Sequence, residues 1–250
     1  MKKVELFEYV HSITKGDDLQ QQLWNASSDP LQWLIKRQFF VKSYSISSAI
    51  GYIIGLGDRH PSNTLFNRNN GCVVQIDYGE CFETASLRAH IPERVPFRLT
   101  RMITNAFELQ SPFGTFSSLF IHSLQLIKKF KQTFMSLFDS FLYDPLLTWR
   151  IYPQEINIEL NNIEGMKGIN YPRNIIPIGD TLPTDFLIAT EHNKRAEYIV
   201  RRISDKIDGY ANCSYQNVPL STEKLTKLLI HEAASPLNLA PMFNGWCIFW

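Results

Sequence analysis

The sequence lacks the features of a secreted or membrane-spanning protein. No apolar run approaches the roughly 20 residues that a membrane helix needs, and the charged start at Lys2 and Lys3 is not followed by the apolar core of a signal peptide. Neither a C-x-x-C pair nor a metal-ligand spacing occurs among the four cysteines, Cys72, Cys81, Cys213 and Cys247. A disulfide framework and a zinc site are therefore not expected, and a reducing, intracellular environment fits best.

The sequence also lacks an excess of either charge. It contains 25 Lys and Arg residues against 24 Asp and Glu, which leaves a formal net charge of +1. This balance provides no long-range field that would favour nucleic acid or an anionic membrane as a partner. The 250 residues are 44% hydrophobic and 13% aromatic, which is enough apolar material for one substantial core in one or two globular domains.

A predicted buried helix and a predicted β-hairpin enclose a polar loop. Over residues 43–54 the apolar residues fall at helical spacing, which predicts a buried helix; they are Ile46, Ala49, Ile50, Ile53 and Ile54. Gly55 and Gly57 then end the helix. Two β-prone runs, Thr64–Phe66 and Cys72–Ile76, flank a turn-forming stretch of Asn, Arg and Gly, which predicts a small hairpin.

The rest of the chain divides into helical regions around an irregular segment. Aromatic and aliphatic residues repeat at helical spacing over residues 116–142, which predicts one long helix or two consecutive helices. Residues 151–188 are rich in Asn, Pro and Gly without periodicity, as expected of an insert or linker. A helix is predicted again at 196–207, and another after a cap at Ser221 or Thr222.

A carboxylate and an amide are placed symmetrically about the predicted hairpin turn. If the hairpin turns about Asn70, then Asn63 and Asp77 are equidistant from the turn and face each other with their Cα atoms ~5 Å apart. Amide and carboxylate oxygens are hard ligands suited to Mg²⁺, which completes its coordination with water and nucleotide phosphates. This donor pair suggests a phosphate-transfer site.

The spacing before Asn63 suggests a kinase catalytic loop. Asp58 stands five residues earlier, as in loops where an Asp orients the acceptor hydroxyl and an Asn binds a metal ion. This spacing alone is a weak signal, because a polar loop with Asp58 and Asp77 paired to arginines would also produce it. The full order of elements is far more specific and favours the catalytic interpretation. It runs from the apolar helix through G-L-G-D-R-H-P-S-N and the hairpin to I-D-Y-G-E.

The motif Asp58-Arg59-His60 resembles the catalytic loop of the phosphatidylinositol 3-kinase-related protein kinases, which reads D-R-H where ordinary protein kinases read H-R-D. The resemblance covers nearly the whole chain and narrows to the target-of-rapamycin group of that family. It is carried by K-V-E-L-F-E at 3–8, G-D-D-L at 16–19, P-F-R-L-T-R-M at 96–102 and Y-D-P-L-L at 143–147. The ending G-W-C-I-F-W resembles the end of the FATC domain that closes these kinases.

The resemblance implies an α+β, predominantly α-helical fold with one small β-hairpin. Residues 1–150 would form the C-terminal lobe of a phosphatidylinositol 3/4-kinase-like protein kinase catalytic domain, with its last helix and a connection in 189–217. Residues 218–250 would form a helical FATC tail. The segment 151–188 has no clear counterpart and remains an insert or linker in this scheme.

The resemblance also implies a role for each site residue. Asp58 would orient the substrate hydroxyl, and His60 would contact the transferred phosphate in the transition state. Asn63 and Asp77 would bind ATP through Mg²⁺, or Mn²⁺, as metal ligands. Residues 77–100 would form the activation loop.

The expected function is therefore ATP-dependent phosphorylation of Ser and Thr in proteins, in growth and nutrient signalling. The alternatives are another kinase of the same family, a lipid kinase of the same fold, or a non-catalytic interaction fragment. Recognition of a polyphosphorylated head group calls for clustered cations, whereas the activation loop carries Glu80, Glu83 and Glu93 against isolated Arg88, Arg94 and Arg98. A protein substrate fits this composition better than a lipid.

No Gly-rich phosphate loop, strand Lys or partner Glu occurs upstream of Asp58. We therefore expect a fragment or a truncated gene model, inactive by itself because nucleotide needs both kinase lobes. The expected partners are ATP, protein substrates and, through the full-length protein, regulatory subunits of a target-of-rapamycin complex, but not nucleic acid. We expect a cytoplasmic location, with contact of the apolar tail to endomembranes as a secondary possibility.

Overall fold

The computed structural model describes most of the chain outside the central segment, namely residues 3–88, 90–108, 111–142, 197–211 and 218–249. These residues belong to two compact units. The first comprises residues up to 126 together with 220–250, and the second comprises 127–219. The insert predicted at 151–188 lies outside the described residues.

The regular elements of the described residues are helices and a single two-stranded sheet, joined by irregular loops. In chain order the elements are α1 (Lys3–Ile13), α2 (Asp18–Asn25), α3 (Pro30–Ile54), β1 (Thr64–Phe66), β2 (Val73–Gln75), α4 (Arg101–Asn105), α5 (Thr115–Lys129), α6 (Lys131–Leu142), α7 (197–208), α8 (Thr222–Ala234) and α9 (Pro236–Leu239). Short 3₁₀ helices lie before β1 at Pro61–Asn63, before α4 at Thr84–Leu87 and after α9 at Asn244–Trp246. The predicted α+β, predominantly helical fold with one small hairpin is confirmed.

Helix α3 leads the chain into the polar loop. The Asp29 side chain accepts a hydrogen bond of 2.9 Å from the Gln32 amide, and Pro30 occupies the first turn, so the start of α3 is well capped. Gly55 adopts a left-handed conformation with φ of 61° and ends the helix, as its sequence position predicts.

The buried face of α3 differs from the predicted one. Ala49 and Ile53 are buried as expected, but Ile46 and Ile50 are 44% and 47% exposed. The core-facing stripe runs instead through aromatic and small residues, namely Phe40, Val41, Tyr44, Ser45, Ser48, Ala49, Tyr52 and Ile53. Helical spacing alone does not choose between two adjacent faces when both carry apolar residues.

An aromatic cluster forms the core of the first unit around α3 and α5. The rings of Phe107 and Phe116 stack with centroids 5.2 Å apart, and Phe97 lies 5.2 Å from Phe120. A polar bond crosses this core, because the buried Tyr44 hydroxyl donates to the Arg98 carbonyl at 2.6 Å. The predicted helical stripe over 116–142 is two consecutive helices, α5 and α6.

The second unit contains the end of α5 together with α6 and α7. Ile199, Ile203 and Ile207 are buried on one face of α7, in agreement with the predicted periodicity. A salt bridge of 2.6 Å joins Lys131 on α6 to Asp208 at the end of α7. Burial of this apolar face and the Lys131–Asp208 ion pair both contribute to the described part of this unit.

The C-terminal tail packs against α1 within the first unit. Ser221 caps α8, with its side chain accepting from the Lys224 amide at 3.4 Å. The tail then buries Leu239, Ala240, Met242, Trp246 and Ile248 around Phe7 of α1. Phe249 stacks on Phe7 with ring centroids 5.2 Å apart. None of the helices within the described residues has both the length and the apolar character that a membrane span requires.

The Tyr44 hydroxyl provides a test of this core. Tyr44→Phe should lower the free energy of unfolding by about 1–3 kcal/mol, because it leaves the buried Arg98 carbonyl without this donor. Tyr9→Phe, at an exposed tyrosine of α1, is the matched control and should change stability by less than about 0.5 kcal/mol. Urea denaturation of the two variants makes the comparison, and equal losses would contradict the assignment.

Candidate active site

The polar loop after α3 holds its Asp in an unusual backbone conformation. Asp58 has a φ of 57°, in the left-handed region that residues with a Cβ seldom adopt. Such a conformation costs about 1–2 kcal/mol for a single residue and persists only where the surroundings impose it. The partners of this backbone therefore show what shapes the loop.

Side chains satisfy the carbonyls on either side of Asp58. Arg59 Nε donates to the Gly57 carbonyl at 2.7 Å, and Asn63 Nδ2 donates to the Asp58 carbonyl at 2.9 Å. Arg98 Nη1 donates to the Arg59 carbonyl at 3.3 Å. The Asn63 amide nitrogen is thereby engaged, which leaves its Oδ1 as the atom suited to bind a cation.

Arg59 connects the catalytic loop to the segment around Asp77. Its guanidinium is buried, with 3% of the residue exposed, and donates to the Ile76 carbonyl at 2.8 Å and to the Asp77 carbonyl. A planar fork of donors can hold several carbonyls in a fixed relation, which an ammonium cannot do in the same way. The two predicted motifs are thus joined through one side chain.

The hairpin register corrects the predicted pairing of Asn63 with Asp77. Thr64 pairs with Gln75, and the Ile76 amide donates to the Asn63 carbonyl at 3.0 Å, so Asn63 lies opposite Ile76. The prediction was wrong by one residue because the turn is centred between Asn69 and Asn70 and not on Asn70.

Asp77 lies one position beyond the residue that faces Asn63. It is exposed, has a φ of 58° and accepts a hydrogen bond of 3.1 Å from the Gly79 amide on Oδ1. Within the described ranges no group of three His, Cys, Asp or Glu side chains could hold a metal ion. One amide and one exposed carboxylate fit a cation that takes its remaining oxygens from water and nucleotide phosphates.

His60 and Arg88 flank the Asp58 carboxylate. His60 Nε2 lies 3.8 Å from one carboxylate oxygen, and Arg88 Nη2 lies 3.9 Å from the other. His60 Nδ1 accepts from the Ser62 amide at 3.2 Å, which places the proton of the neutral ring on Nε2. Arg88 makes a closer ion pair of 2.9 Å with Glu80. The structure therefore brings Asp58, His60 and Asn63 together, as predicted for a catalytic loop.

The segment 80–93 packs directly on the catalytic loop. The Gly57 amide donates to the Glu80 carbonyl at 2.8 Å, and the Glu83 amide donates to the Gly55 carbonyl at 2.9 Å. A Cβ on Gly57 would overlap the Cβ of Ala85. Glycine is required at position 57 because the Ala85 side chain lies where any larger residue would place its Cβ.

Glu93 is a site residue that sequence reasoning counted only as an acidic charge. Its Oε1 accepts a hydrogen bond of 2.8 Å from the Asp58 amide. Burial raises the pKa of Glu93 to about 6, although the bond from the Asp58 amide acts in the opposite direction. No local pattern predicts this contact, because the two residues are 35 positions apart.

Arg98, which the sequence showed only as an isolated arginine of the predicted activation loop, links the catalytic loop to the C-terminal tail. It is 3% exposed and donates to the carbonyls of Trp246 at 2.6 Å and Cys247 at 2.8 Å. Its guanidinium also lies 4.5 Å from the centroid of the Trp246 ring. The tail is thus connected to the Arg59 carbonyl through one buried side chain.

A pocket opens beside the Asp58 carboxylate. The catalytic loop, residues 77–100 (here called the activation segment) and the tail all contribute to its lining. The lining residues are Asp58, His60, Arg88, Ile91, Pro92, Glu93, Met242, Phe243, Gly245 and Trp246. It is polar on the side of the catalytic loop and apolar on the side of the tail. A side chain bearing a hydroxyl group could therefore approach Asp58 from this pocket.

The family profile of phosphatidylinositol 3- and 4-kinases matches residues 1–151, and that of the FATC domain matches residues 219–250. The chain belongs to the phosphatidylinositol 3- and 4-kinase family. Within that family it is similar over its whole length to the target of rapamycin homolog of Caenorhabditis elegans at 36% identity. It is also similar to the serine/threonine-protein kinase TOR2 of Saccharomyces cerevisiae at 35% identity. It spans 9% and 10% of these two relatives.

The solved structures agree on the fold of this kinase family. The FAT and kinase domain of CtTel1 superposes on 99% of the chain with a TM-score of 0.74 at 23% identity, and the chain covers 14% of that structure. The Tel1 kinase butterfly symmetric dimer matches 93% of the chain with a TM-score of 0.69 at 27% identity, and the chain covers 8% of it. The predicted family and its FATC ending are confirmed.

Gly57 and Ala85 provide a test of the packing between loop and segment. Gly57→Ala should destabilise the fold by about 1–3 kcal/mol through overpacking, and Gly57→Ala combined with Ala85→Gly should recover a measurable part of this loss. Gly51→Ala, at a position inside α3, is the matched control, because its added Cβ would meet only Leu56 at an ordinary distance of 3.7 Å and should be neutral or stabilising. Thermal unfolding of these three variants and of Ala85→Gly alone measures the coupling, and strictly additive losses would contradict the contact.

Proposed function

We propose that the protein containing this chain is a Ser/Thr protein kinase of the target-of-rapamycin type, which transfers phosphate from ATP to protein hydroxyls. Two hydrogen bonds carry this proposal. Asn63 donates to the Asp58 carbonyl within the catalytic loop, and Arg59 donates to the Asp77 carbonyl and so joins this loop to the second motif. Support also comes from relatives that are named serine/threonine-protein kinases. By resemblance to them, we also expect regulatory subunits to bind the full-length protein.

Each residue of the loop has a distinct role in this proposal. The Asp58 carboxylate accepts the hydrogen bond of the acceptor hydroxyl and orients its oxygen for attack. His60 donates from Nε2 towards the transferred phosphate, where negative charge requires a donor. Asn63 Oδ1 and the Asp77 carboxylate would hold Mg²⁺, or Mn²⁺, which offsets the charge of the nucleotide phosphates when bound.

The charges of the activation segment favour a protein substrate over a phosphoinositide. Arg88 pairs with Glu80 at 2.9 Å, and Arg98 is buried against the tail. The third arginine of this segment, Arg94, is exposed and is neither paired with Glu80 nor buried against the tail. A polyphosphorylated head group calls for several convergent cations, whereas the pocket beside Asp58 offers apolar residues of the tail to a peptide side chain.

The catalytic assignment predicts two different kinetic defects in the full-length protein. Asp58→Ala should lower turnover by about 10²- to 10⁴-fold with nucleotide affinity largely kept, because the lost group acts on the acceptor. Asp77→Ala should abolish turnover and also weaken binding of metal-bound nucleotide. The measurement is radiolabel transfer to Ser/Thr peptides alongside nucleotide titration.

Controls for this experiment come from the same chain. Asp139→Ala, at an exposed position of α6, should leave turnover unchanged. The 250-residue chain by itself should show no transfer, because it offers no Gly-rich phosphate loop or strand lysine. Normal turnover in the Asp58 or Asp77 variant would refute the assignment.

The substrate class is tested separately by direct competition. The full-length protein should label Ser/Thr peptides and leave phosphoinositide vesicles unlabelled, since the segment 77–100 presents too few available cations for a phosphorylated head group. Both substrates are offered at equal acceptor concentration with labelled ATP. Preferential labelling of the lipid would transfer the assignment to a lipid kinase.

A further inference from the structure

The amide of Asp58 has a partner that the proposed mechanism does not use. The Asp58 carbonyl is held by Asn63 from within the catalytic loop, but the Asp58 amide is held by Glu93 from the activation segment. A left-handed residue needs support on both sides, because its neighbours would otherwise relax towards more common backbone conformations. Glu93 supplies the support on the amide side at 2.8 Å.

The position of Glu93 is fixed by the chain around it. Its own amide donates to the Ala85 carbonyl at 3.0 Å. Ala85 in turn packs against Gly57 of the catalytic loop. Its carboxylate faces the charged groups of Arg88, Asp58 and Glu80. Burial of this carboxylate opposes its ionisation and raises its pKa to about 6, so an ionised Glu93 does not stabilise the fold through its charge.

We propose that Glu93 is a positioning residue for phosphoryl transfer, which directs the Asp58 carboxylate towards the acceptor hydroxyl by holding the Asp58 amide. The inference rests on the proposed kinase function. It couples the activation segment to the catalytic aspartate through a single hydrogen bond, so displacement of residues 80–93 would release Asp58 from its left-handed conformation.

The contact itself can be tested in the 250-residue chain without any activity. In Glu93→Ala, hydrogen exchange of the Asp58 amide, followed by NMR, should rise about 10-fold or more because its acceptor is gone. The Gly57 amide bonds the Glu80 carbonyl and should keep its protection, which separates local release from global unfolding. Glu93→Gln keeps a carbonyl acceptor and should show an intermediate rate. Unchanged exchange of the Asp58 amide in Glu93→Ala would overturn the inference.

The catalytic consequence is tested in the full-length protein. Glu93→Ala should lower kcat roughly 10- to 100-fold, because a small misplacement of a catalytic group is costly, while the KM for ATP changes by less than about 2-fold. Glu93→Gln should recover part of kcat. Glu108→Ala is the matched control, because Glu108 also accepts from a backbone amide, that of Thr115, and its loss should leave kcat unchanged.

The Asp58→Ala variant separates failure of this inference from failure of the proposed function. If Asp58→Ala retains turnover, the kinase assignment itself is wrong. If Asp58→Ala lowers turnover as expected and Glu93→Ala retains wild-type kcat, the kinase assignment stands and the positioning role of Glu93 is wrong. A fall in kcat equal in Glu93→Ala and Glu108→Ala would also overturn the role, because it would reflect general destabilisation.

Discussion

The left-handed backbone of Asp58 is the constraint on which the rest of the site depends. Its amide and the carbonyls around it are bound by side chains from separate parts of the chain, namely Arg59 and Asn63 within the loop, Glu93 in the activation segment and Arg98 before α4. A regular helix or strand could not present a carboxylate in this way, because its backbone groups would already be paired with one another. The irregular loop is stable because charged and amide side chains replace those pairings.

Arg98 extends this constraint to the end of the chain. It lies between the Arg59 carbonyl and the carbonyls of Trp246 and Cys247, with its guanidinium against the Trp246 ring. Buried Arg can serve three carbonyls at once because its donors diverge from one rigid plane. The FATC tail is therefore part of the surroundings of the catalytic loop, and its apolar residues also line the pocket beside Asp58.

Local pairing of charges gives the activation segment its chemical character. Arg88 is close to Glu80 and Asp58, while Glu93 turns inwards to a backbone amide. Charges that are satisfied in this way contribute little to recruitment of a polyanionic ligand. The pocket beside the catalytic loop has an apolar wall from the tail.

The sequence by itself determined the elements whose signals are local. Helical spacing predicts α5, α6 and α7, β-prone runs around a turn predict the hairpin, and the motif order predicts Asp58, His60 and Asn63 in one loop. Only the tertiary structure decided the exposed face of α3, the one-residue shift that sets Asn63 opposite Ile76, and the hydrogen-bond partners of Glu93 and Arg98. The partners of these two side chains lie 35 and 148 residues away along the chain. Periodicity and spacing report a residue's neighbours within a turn or a strand, whereas a buried charge acquires its partner only when distant segments pack together.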